Sequence, residues 1–348
     1  TGTTYYVIKN LGTMTIEQAN VINNSGYRNP NPSGSMTGSS LICNGDGDAP
    51  ATLTINGGAF EQQNFIVVKN GSFGILNVNG GKFTSKHSAI QNWYKADIKG
   101  GEINGQLWTD AWQEGSSVGE TKIGGTAKFT GEIVMDITGS VKPTLEISGG
   151  EMIVSNWRIT SAAANKGAKP VVTGGNFSQP VKREYLDSSL TAELKKASGE
   201  TPYSYYTSMN DALAAAKPGD TVTDLKAATE QKVTLTLKYN DGATADTTYN
   251  VASGTTITLP TPKRSGYTFN GWYDGSTKVS NPYTASADVT LTASWSYISS
   301  SSRYNVTAPK ADHGTVTVTP SRASKGDTVT VTVKPDSGYV LETITVTD

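Results

Sequence analysis

The sequence has only one cysteine and two histidines in 348 residues. Cys43 has no second cysteine with which to form an internal disulfide, so packing and backbone hydrogen bonds have to stabilise the fold. Lys and Arg total 29 against 30 for Asp and Glu, which gives a formal net charge of −1. Such a balance provides no basic surface for nucleic acid or anionic lipid. We therefore expect no nucleic-acid partner.

Long apolar runs are also missing. No segment approaches the roughly 18 apolar residues that a membrane-spanning helix needs, and no charged-then-apolar signal region follows Thr1. We expect no membrane insertion and interpret the chain as a mature part of an exported protein. In place of apolar runs there are 37 glycines, many Thr, Ser and Asn residues, and long stretches of alternating apolar and polar residues. This composition predicts an all-β protein, and the length suits two or three domains.

The N-terminal half contains a glycine repeat. Six segments end alike, from LTINGGAF at 53–60 to VVTGGNF at 171–177. The first glycines are separated by 23, 20, 24, 25 and 25 residues, at Gly57, Gly80, Gly100, Gly124, Gly149 and Gly174. A period of this length with short strands is typical of one coil of a right-handed parallel β-helix, which we assign to residues 1–182.

Each predicted coil has apolar residues that point inward and stack on those of the next coil. These residues are Leu53, Ile55, Leu76, Val78, Ile98, Ile123, Leu145 and Ile147. The glycine pairs are expected at sharp turns, where positive φ and close approach of the next coil exclude a Cβ. A second periodic element gives Asn70, Asn92, Trp112 and Asp136, and Asn10, Asn44, Asn70 and Asn92 are expected to form a ladder of hydrogen-bonded amides. Gly26–Ser40 is predicted to be a loop.

Residues 183–230 depart from the repeat and are predicted to form a helical cap and linker. Leu190–Ala197 and Met209–Ala216 have the pattern of short amphipathic helices, and Ser208 with Asp211 resembles a capping box. We expect this region to cover the open end of the β-helix, where unpaired strands would otherwise favour aggregation.

From Lys232 to Trp295 the chain contains TLTLKYNDGA, then GYTFNGWY at 266–273, and then ADVTLTASW. This order resembles an internalin-type B-repeat, also called the Listeria-Bacteroides repeat, which we assign to residues 231–297. The resemblance implies a small β-grasp-like module of bacterial surface proteins without catalytic residues. From the residues alone we expect a hairpin at Asn240–Gly242 and an aromatic core of Tyr267, Phe269, Trp272 and Trp295.

Residues 298–302 form a serine linker, and residues 303–348 resemble a divergent B-repeat that stops before its last strands. The N-terminal half in turn resembles β-helix regions of large surface proteins from gut Firmicutes, a group of mostly Gram-positive bacteria. These resemblances imply an extracellular location at the cell surface or cell wall.

Parallel β-helices include polysaccharide lyases and hydrolases, so an enzyme is an alternative. Asp110 and Asp136 fall in successive predicted coils, with Glu114, Glu120, Glu132 and Arg158 nearby in sequence. Isolated acids at turns are common, however, and no paired-Asp motif is present. The run from Asn44 to Asp48 resembles a Ca²⁺ loop but has Ile55 where the loop needs Glu, so we expect a polar turn. We predict no catalytic residues, metal or cofactor.

Aromatic residues on consecutive coils give the candidate binding face, because rings flanked by hydrogen-bonding groups hold sugars and anchor protein partners. The alternative is that these rings fill the coil interior. The candidate residues are Asn92, Trp93, Tyr94, Trp108, Asp110, Trp112, Asp136, Trp157 and Arg158. They predict a non-catalytic adhesin or ligand-binding ectodomain whose β-helix binds a host glycoprotein or glycan, with the C-terminal repeats as a stalk; a purely structural stalk and a polysaccharide-active enzyme are the alternatives. Nothing in the sequence indicates an oligomeric state.

Overall fold

The structure is a computed structural model that describes residues 6–23, 40–45, 49–63, 65–226, 232–298, 303–308 and 310–344. It contains two compact units, one of residues 1–259 with 280–291 and one of residues 260–279 with 292–348. The predicted loop before Ser40, the acidic residues Asp46 and Asp48, and the four-serine linker lie outside the described residues.

The described residues of the first unit begin with fifteen strands, as the all-β prediction requires. They are β1 Ile8–Asn10, β2 Thr13–Ile16, β3 Asn20–Asn23, β4 Ser40–Asn44, β5 Ala51–Ile55, β6 Ala59–Gln62, β7 Ile66–Asn70, β8 Gly74–Val78, β9 Lys82–Asn92, β10 Lys95–Ile98, β11 Glu102–Ala111, β12 Glu120–Ile123, β13 Lys128–Ile137, β14 Thr144–Ile159 and β15 Pro170–Phe177. A five-residue helix, α1 Ser161–Asn165, precedes β15.

The strands of this region pair in parallel with the equivalent strands of neighbouring coils. The first sheet runs through β2, β5, β8, β10, β12 and the starts of β14 and β15. The second runs through β3, β6 and the first parts of β9, β11 and β13. The third runs through β1, β4, β7 and the ends of β9, β11, β13 and β14. This arrangement confirms the β-helix-like fold.

The core of the solenoid consists of stacked apolar side chains. Leu53 lies opposite Leu76 and Ile55 opposite Val78, and all of the predicted inward residues are buried. Phe60 and Phe83 stack with ring centroids 5.2 Å apart. Each coil therefore buries its apolar side chains against the coils above and below it, which explains how the chain is stable without disulfides.

The asparagine ladder is confirmed. The Nδ2 atoms of Asn10, Asn44 and Asn70 each donate to Oδ1 of the next asparagine, at 2.7, 2.7 and 2.8 Å, and the ladder ends at Asn92. All four side chains are buried. Trp112 and Asp136 do not continue this row, because Thr109 lies opposite Asn92 in the next coil.

The glycine pairs have the two properties that the sequence predicts. The second glycine of each pair has positive φ, as at Gly58 with a φ of 111°. A Cβ at Gly58 would lie 2.1 Å from the carbonyl oxygen of Ala19 in the preceding coil. Real Cβ atoms do not approach so closely, so the turn requires glycine for both φ and space.

The region after β15 is mostly a small antiparallel sheet rather than two helices. It contains the 3-10 helix Arg183–Tyr185, strands β16 Ala192–Lys195, β17 Tyr203–Tyr206 and β18 Thr221–Asp224, and helix α2 Met209–Ala215. The helix predicted for Leu190–Ala197 is wrong, because Ala192 and Leu194 are buried while Glu193 and Lys195 are not, a period of two. The second helix is confirmed, and Ser208 Oγ accepts a hydrogen bond from the Asp211 N–H at 3.3 Å.

These cap strands join the solenoid to the next strands of the same unit. β17 pairs antiparallel with the end of β15, and β18 pairs in parallel with a strand at 247–252. The remaining described strands, counted over both units, are β19 Lys232–Lys238, β20 Thr247–Ala252, β21 Thr255–Ile257, β22 Tyr267–Asp274, β23 Thr277–Lys278, β24 Tyr283–Ala285, β25 Val289–Tyr297, β26 Tyr304–Asn305, β27 Gly314–Thr319, β28 Arg322–Ala323 and β29 Thr330–Pro335.

The predicted hairpin is present, and three of the four rings of the predicted aromatic core pack together. β19 and β20 pair antiparallel around Asn240–Gly242. In the second unit the Phe269 ring lies 5.8 Å from Trp272 and 5.3 Å from Trp295, whereas Tyr267 packs edge-on against Tyr297. Trp272 is buried and its Nε1–H donates to the Pro260 carbonyl at 2.8 Å. Tyr267 therefore lies beside this cluster of three rings rather than within it.

Candidate functional site

The candidate residues at the end of β9 are buried. Asn92 has no exposed surface, and its Nδ2 donates to the Glu120 carbonyl and to Thr121 Oγ1 at 2.7 and 2.8 Å. Trp93 is 2% exposed, and its indole N–H has no hydrogen-bond partner within the described part of the chain. The prediction that these two residues belong to an exposed face is wrong: Asn92 satisfies backbone groups between coils, and Trp93 is held by packing.

Trp108 is also buried, but it borders a polar cluster. Its side chain is 7% exposed, and the Arg158 guanidinium lies 5.1 Å from the ring centroid in a cation–π contact. Arg158 Nε donates to Glu132 Oε1 at 3.3 Å. An exposed Trp108 platform is therefore not formed. Arg158 is partly exposed, so the surface of this cluster is formed by the guanidinium rather than by the ring.

Glu132 is the centre of this cluster, and sequence reasoning noted it only as a nearby acid. Gln106 Nε2 donates to Oε2 at 2.7 Å, and Asn156 Nδ2 donates to Oε1 at 2.8 Å. Burial disfavours the charged carboxylate, but these hydrogen bonds and the positive charge of Arg158 outweigh it and hold the pKa of Glu132 below its usual value. These residues come together through the pairing register of β11, β13 and β14. That register was the only signal from which the cluster could have been predicted.

Asp110 and Asp136 lie opposite each other on successive coils, as the sequence predicts. Asp110 is 1% exposed; Thr138 N–H donates to its Oδ1 at 3.0 Å and Thr138 Oγ1 to its Oδ2 at 2.7 Å. Burial, with a contribution from the Asp136 charge, raises the pKa of Asp110 to about 6. Asp136 accepts from Thr160 Oγ1 at 2.7 Å. Both carboxylates therefore anchor the loops that follow the next strand, and Asp110 has no surface for a substrate.

Trp157 and Tyr94 point to different parts of the solenoid. Trp157 packs at 5.5 Å from Tyr185 and at 6.5 Å from Phe177, as part of the capped end of the core. Tyr94 is partly exposed and lies 6.1 Å from Phe73. Neither ring lies alongside Trp112, so the nine candidate residues do not form one continuous surface.

Trp112 is the exposed member of the set, with 46% of its surface accessible. Its N–H donates to the Ser117 carbonyl at 2.9 Å, and its carbonyl accepts from Ser140 N–H at 3.1 Å. A Cβ at Gly139 would lie 2.5 Å from the Trp112 ring, so the loop of the next coil packs directly against it. The indole is therefore exposed but fixed between two ordered loops.

These loops occupy one corner of the solenoid, between the third sheet and the first sheet. After β9 the loop at this corner consists of residues 93–94 alone. In the next three coils the loop is longer and consists of residues 112–119, 138–143 and 160–169. The loops border an open groove of about 540 Å³ on the outer face of the first sheet. We refer to it as the corner groove; six of its lining residues are Lys122, Lys142, Thr144, Glu146, Lys169 and Thr173. Sequence reasoning missed it, although the glycine spacing of 24 or 25 residues in these coils was a signal of longer loops.

Within the residues that the structure describes, no three His, Cys, Asp or Glu side chains are grouped so as to hold a metal ion. None of the helices in that same part of the chain is long and apolar enough to cross a membrane.

Comparison with family models gives two matches, both in the C-terminal third. Residues 234–295 match the Listeria-Bacteroides repeat domain, and residues 304–348 match the divergent InlB B-repeat domain. These matches confirm the two repeats that the sequence predicts, and such repeats are typical of surface proteins. Neither the curated proteins nor the solved structures give a significant match to the chain.

Proposed function

We propose that the chain is a non-catalytic ectodomain of a bacterial cell-surface protein, in which the β-helix binds a host glycoprotein or glycan and the repeats act as a stalk. The two matched repeats support the surface location. The solenoid supports the binding role, because a rigid stack of coils that carries variable loops at one corner is a suitable scaffold for recognition.

The observation that carries this proposal is the exposed indole of Trp112. The two backbone hydrogen bonds of Trp112 hold its main chain in place and the ring lies against Gly139, so a ligand that packs on the ring has no loop to order. Tryptophan is also enriched among the residues that dominate the free energy of binding. The side chains of Gln113 and Glu114 are exposed next to it and offer hydrogen bonds to sugar hydroxyls or to a protein partner.

The test is binding of the full chain to an array of glycans and host glycoproteins, with Trp112→Ala as the variant. We expect Trp112→Ala to weaken binding about tenfold or more, as loss of a central aromatic contact does. Tyr304→Ala is the matched control, because Tyr304 is 65% exposed and lies in the second repeat. Absence of any binding by the folded chain would leave a purely structural stalk as the function.

A polysaccharide-active enzyme is the second candidate, favoured by the pKa of about 6 at Asp110 beside Asp136. Against it, the oxygens of Asp110 accept hydrogen bonds from Thr138, and the residue is buried. Polysaccharide turnover that disappears in both Asp110→Asn and Asp136→Asn, while thermal stability is kept, would establish the enzyme instead.

A further inference from the structure

The corner groove has a flat floor and two loop walls. The floor is the outer face of the first sheet, where Lys122 on β12, Glu146 on β14 and Val171 on β15 are opposite one another. Neighbouring strands lie about 4.8 Å apart, so these side chains form a row across the groove. The walls come from the loops 138–143 and 160–169, which contribute Lys142 and Lys169.

Of the three lysines that line the groove, one has an ion-pair partner among the described residues and two do not. Lys122 Nζ lies 3.4 Å from Glu120 Oε1, so this pair is internally neutral. Lys142 and Lys169 form no ion pair within the described residues, and Glu146 is the only further acid that lines the groove. Two exposed ammonium groups therefore face the groove from adjacent coils, in a chain whose formal net charge is −1.

Both lysines are presented by ordered backbone. The residues on either side of Lys142 are hydrogen-bonded to the backbone of the preceding coil. Ser140 N–H donates to the Trp112 carbonyl at 3.1 Å, and Thr144 N–H donates to the Gly119 carbonyl at 2.8 Å. Lys169 follows Ala168, which is buried and whose N–H donates to the Ala163 carbonyl at 3.0 Å. Because these backbone positions are fixed, an anion between the two ammonium groups would order only side chains.

The groove suits an extended polar ligand better than a peptide. Hydroxyl groups of Thr144 and Thr173 and the carboxylate of Glu146 can exchange hydrogen bonds with sugar hydroxyls, and the groove is open along the sheet rather than an enclosed pocket for a single side chain. A peptide cannot extend the sheet at β14 either, because β12 and β15 already pair with its two edges.

We propose that the corner groove binds a saccharide that bears a carboxylate, with Lys142 and Lys169 holding the carboxylate and Glu146 and the threonines contacting hydroxyls. This inference rests on the proposed ligand-binding function and assigns its ligand to acidic glycans. Trp112 contacts loop 138–143, which forms one wall of the groove, and its ring is a surface against which a neighbouring sugar can pack.

The experiment measures binding of the full chain to hyaluronate and polygalacturonate, with dextran as the neutral glycan, at low and high salt. The variant is Lys142→Gln with Lys169→Gln. We expect affinity for the acidic polymers to fall roughly tenfold for each lysine that contacts the carboxylate, and to fall with salt. The matched control is Lys82→Gln with Lys128→Gln, which removes two exposed positive charges outside the groove and should leave affinity nearly unchanged.

Three results would overturn the proposal. Equal losses in the two double variants would mean that binding depends on total charge and not on the groove. Dextran binding as strong as hyaluronate binding would exclude a role for the carboxylate. Polyglutamate or a sulfated dextran that binds more tightly than hyaluronate would point to an acidic peptide or a sulfate as the ligand.

The failure of this inference and that of the proposed function are distinguishable. If Trp112→Ala weakens glycan binding and the lysine variant does not, the binding function stands and the groove is not its site. If the folded chain binds no glycan or glycoprotein, the proposed function itself is wrong.

Discussion

Replacing Asn70 with alanine tests whether the amide ladder stabilises the solenoid. Asn70 lies in the middle of the ladder and is fully buried. Its Oδ1 accepts from Asn44 Nδ2 at 2.7 Å, and its Nδ2 donates to Asn92 Oδ1 at 2.8 Å and to the carbonyls of Gly74 and Lys95 at 2.6 and 2.9 Å. The substitution removes all of these hydrogen bonds at once, and alanine can replace none of them.

The expected loss follows from these contacts. Nδ2 has two hydrogens to share among its three acceptors, so Asn70 contributes about three hydrogen bonds. At about 1 kcal/mol each they predict a decrease of about 3 kcal/mol in the free energy of unfolding, and the cavity left by the amide increases it. The loss should be local to the coils on either side of Asn70, because each coil of a solenoid contacts only its neighbours. Hydrogen exchange of the amides in β4, β7 and the end of β9 measures it directly.

Asn79→Ala is the matched control. Asn79 Nδ2 donates to Asn56 Oδ1 at 2.9 Å, so it forms the same kind of amide pair between neighbouring coils, but at the surface. Water replaces a surface hydrogen bond, so we expect a loss below about 1 kcal/mol. If the two variants lose the same stability to within about 1 kcal/mol, the ladder does not contribute through burial, and the reasoning is refuted.

Two further predictions concern the acid pair and the glycine turns. The pKa of Asp110 is about 6 in the fold and 3.8 ordinarily, so its contribution to stability is present below pH 3.8 and is lost as the pH rises through 6. We expect Asp110→Asn to abolish a decrease of up to about 3 kcal/mol across this window in unfolding free energies measured against pH; parallel curves for variant and parent would contradict this. Gly58→Ala, with a Cβ 2.1 Å from the Ala19 carbonyl oxygen, should lower stability by about 3 kcal/mol or more. The control Gly167→Ala also has positive φ but meets no atom within 4 Å, so it should cost only about 1 kcal/mol, and equal melting temperatures would show that close approach does not matter.

The repeated part of the fold could be predicted because each feature recurs at a fixed spacing. The glycine pairs predict the turns at Gly58 and its equivalents, and the recurrence of Asn10, Asn44, Asn70 and Asn92 predicts the ladder. In both cases the physical requirement is local to two adjacent coils. A left-handed φ needs glycine, and a buried amide needs a partner one coil away.

The cap illustrates where local patterns mislead. The segment LTAELKKA at 190–197 has apolar residues at spacings that fit a helix, and its residue types favour one. The structure instead places Ala192–Lys195 between β17 and β18 in an antiparallel sheet. Pairing with strands from elsewhere in the chain outweighs a weak local preference over so short a segment.

The sequence by itself thus determined the solenoid, its turns and ladder, and the two C-terminal repeats, because all of these depend on residues a fixed distance apart. It did not determine which tryptophans are exposed. Alternation along β11 places Trp108 on the side of the strand that faces away from the core, opposite Leu107. In neighbouring coils this position is occupied by Cys43, Lys69 and Gln91. These three side chains and Trp108 are nevertheless all buried. A period of two specifies on which side of a strand a residue lies, but whether that side is covered depends on segments distant in the chain. Only the tertiary structure therefore decided that Trp93 and Trp108 are covered and Trp112 is exposed, and only it brought Lys142 and Lys169 to the same groove.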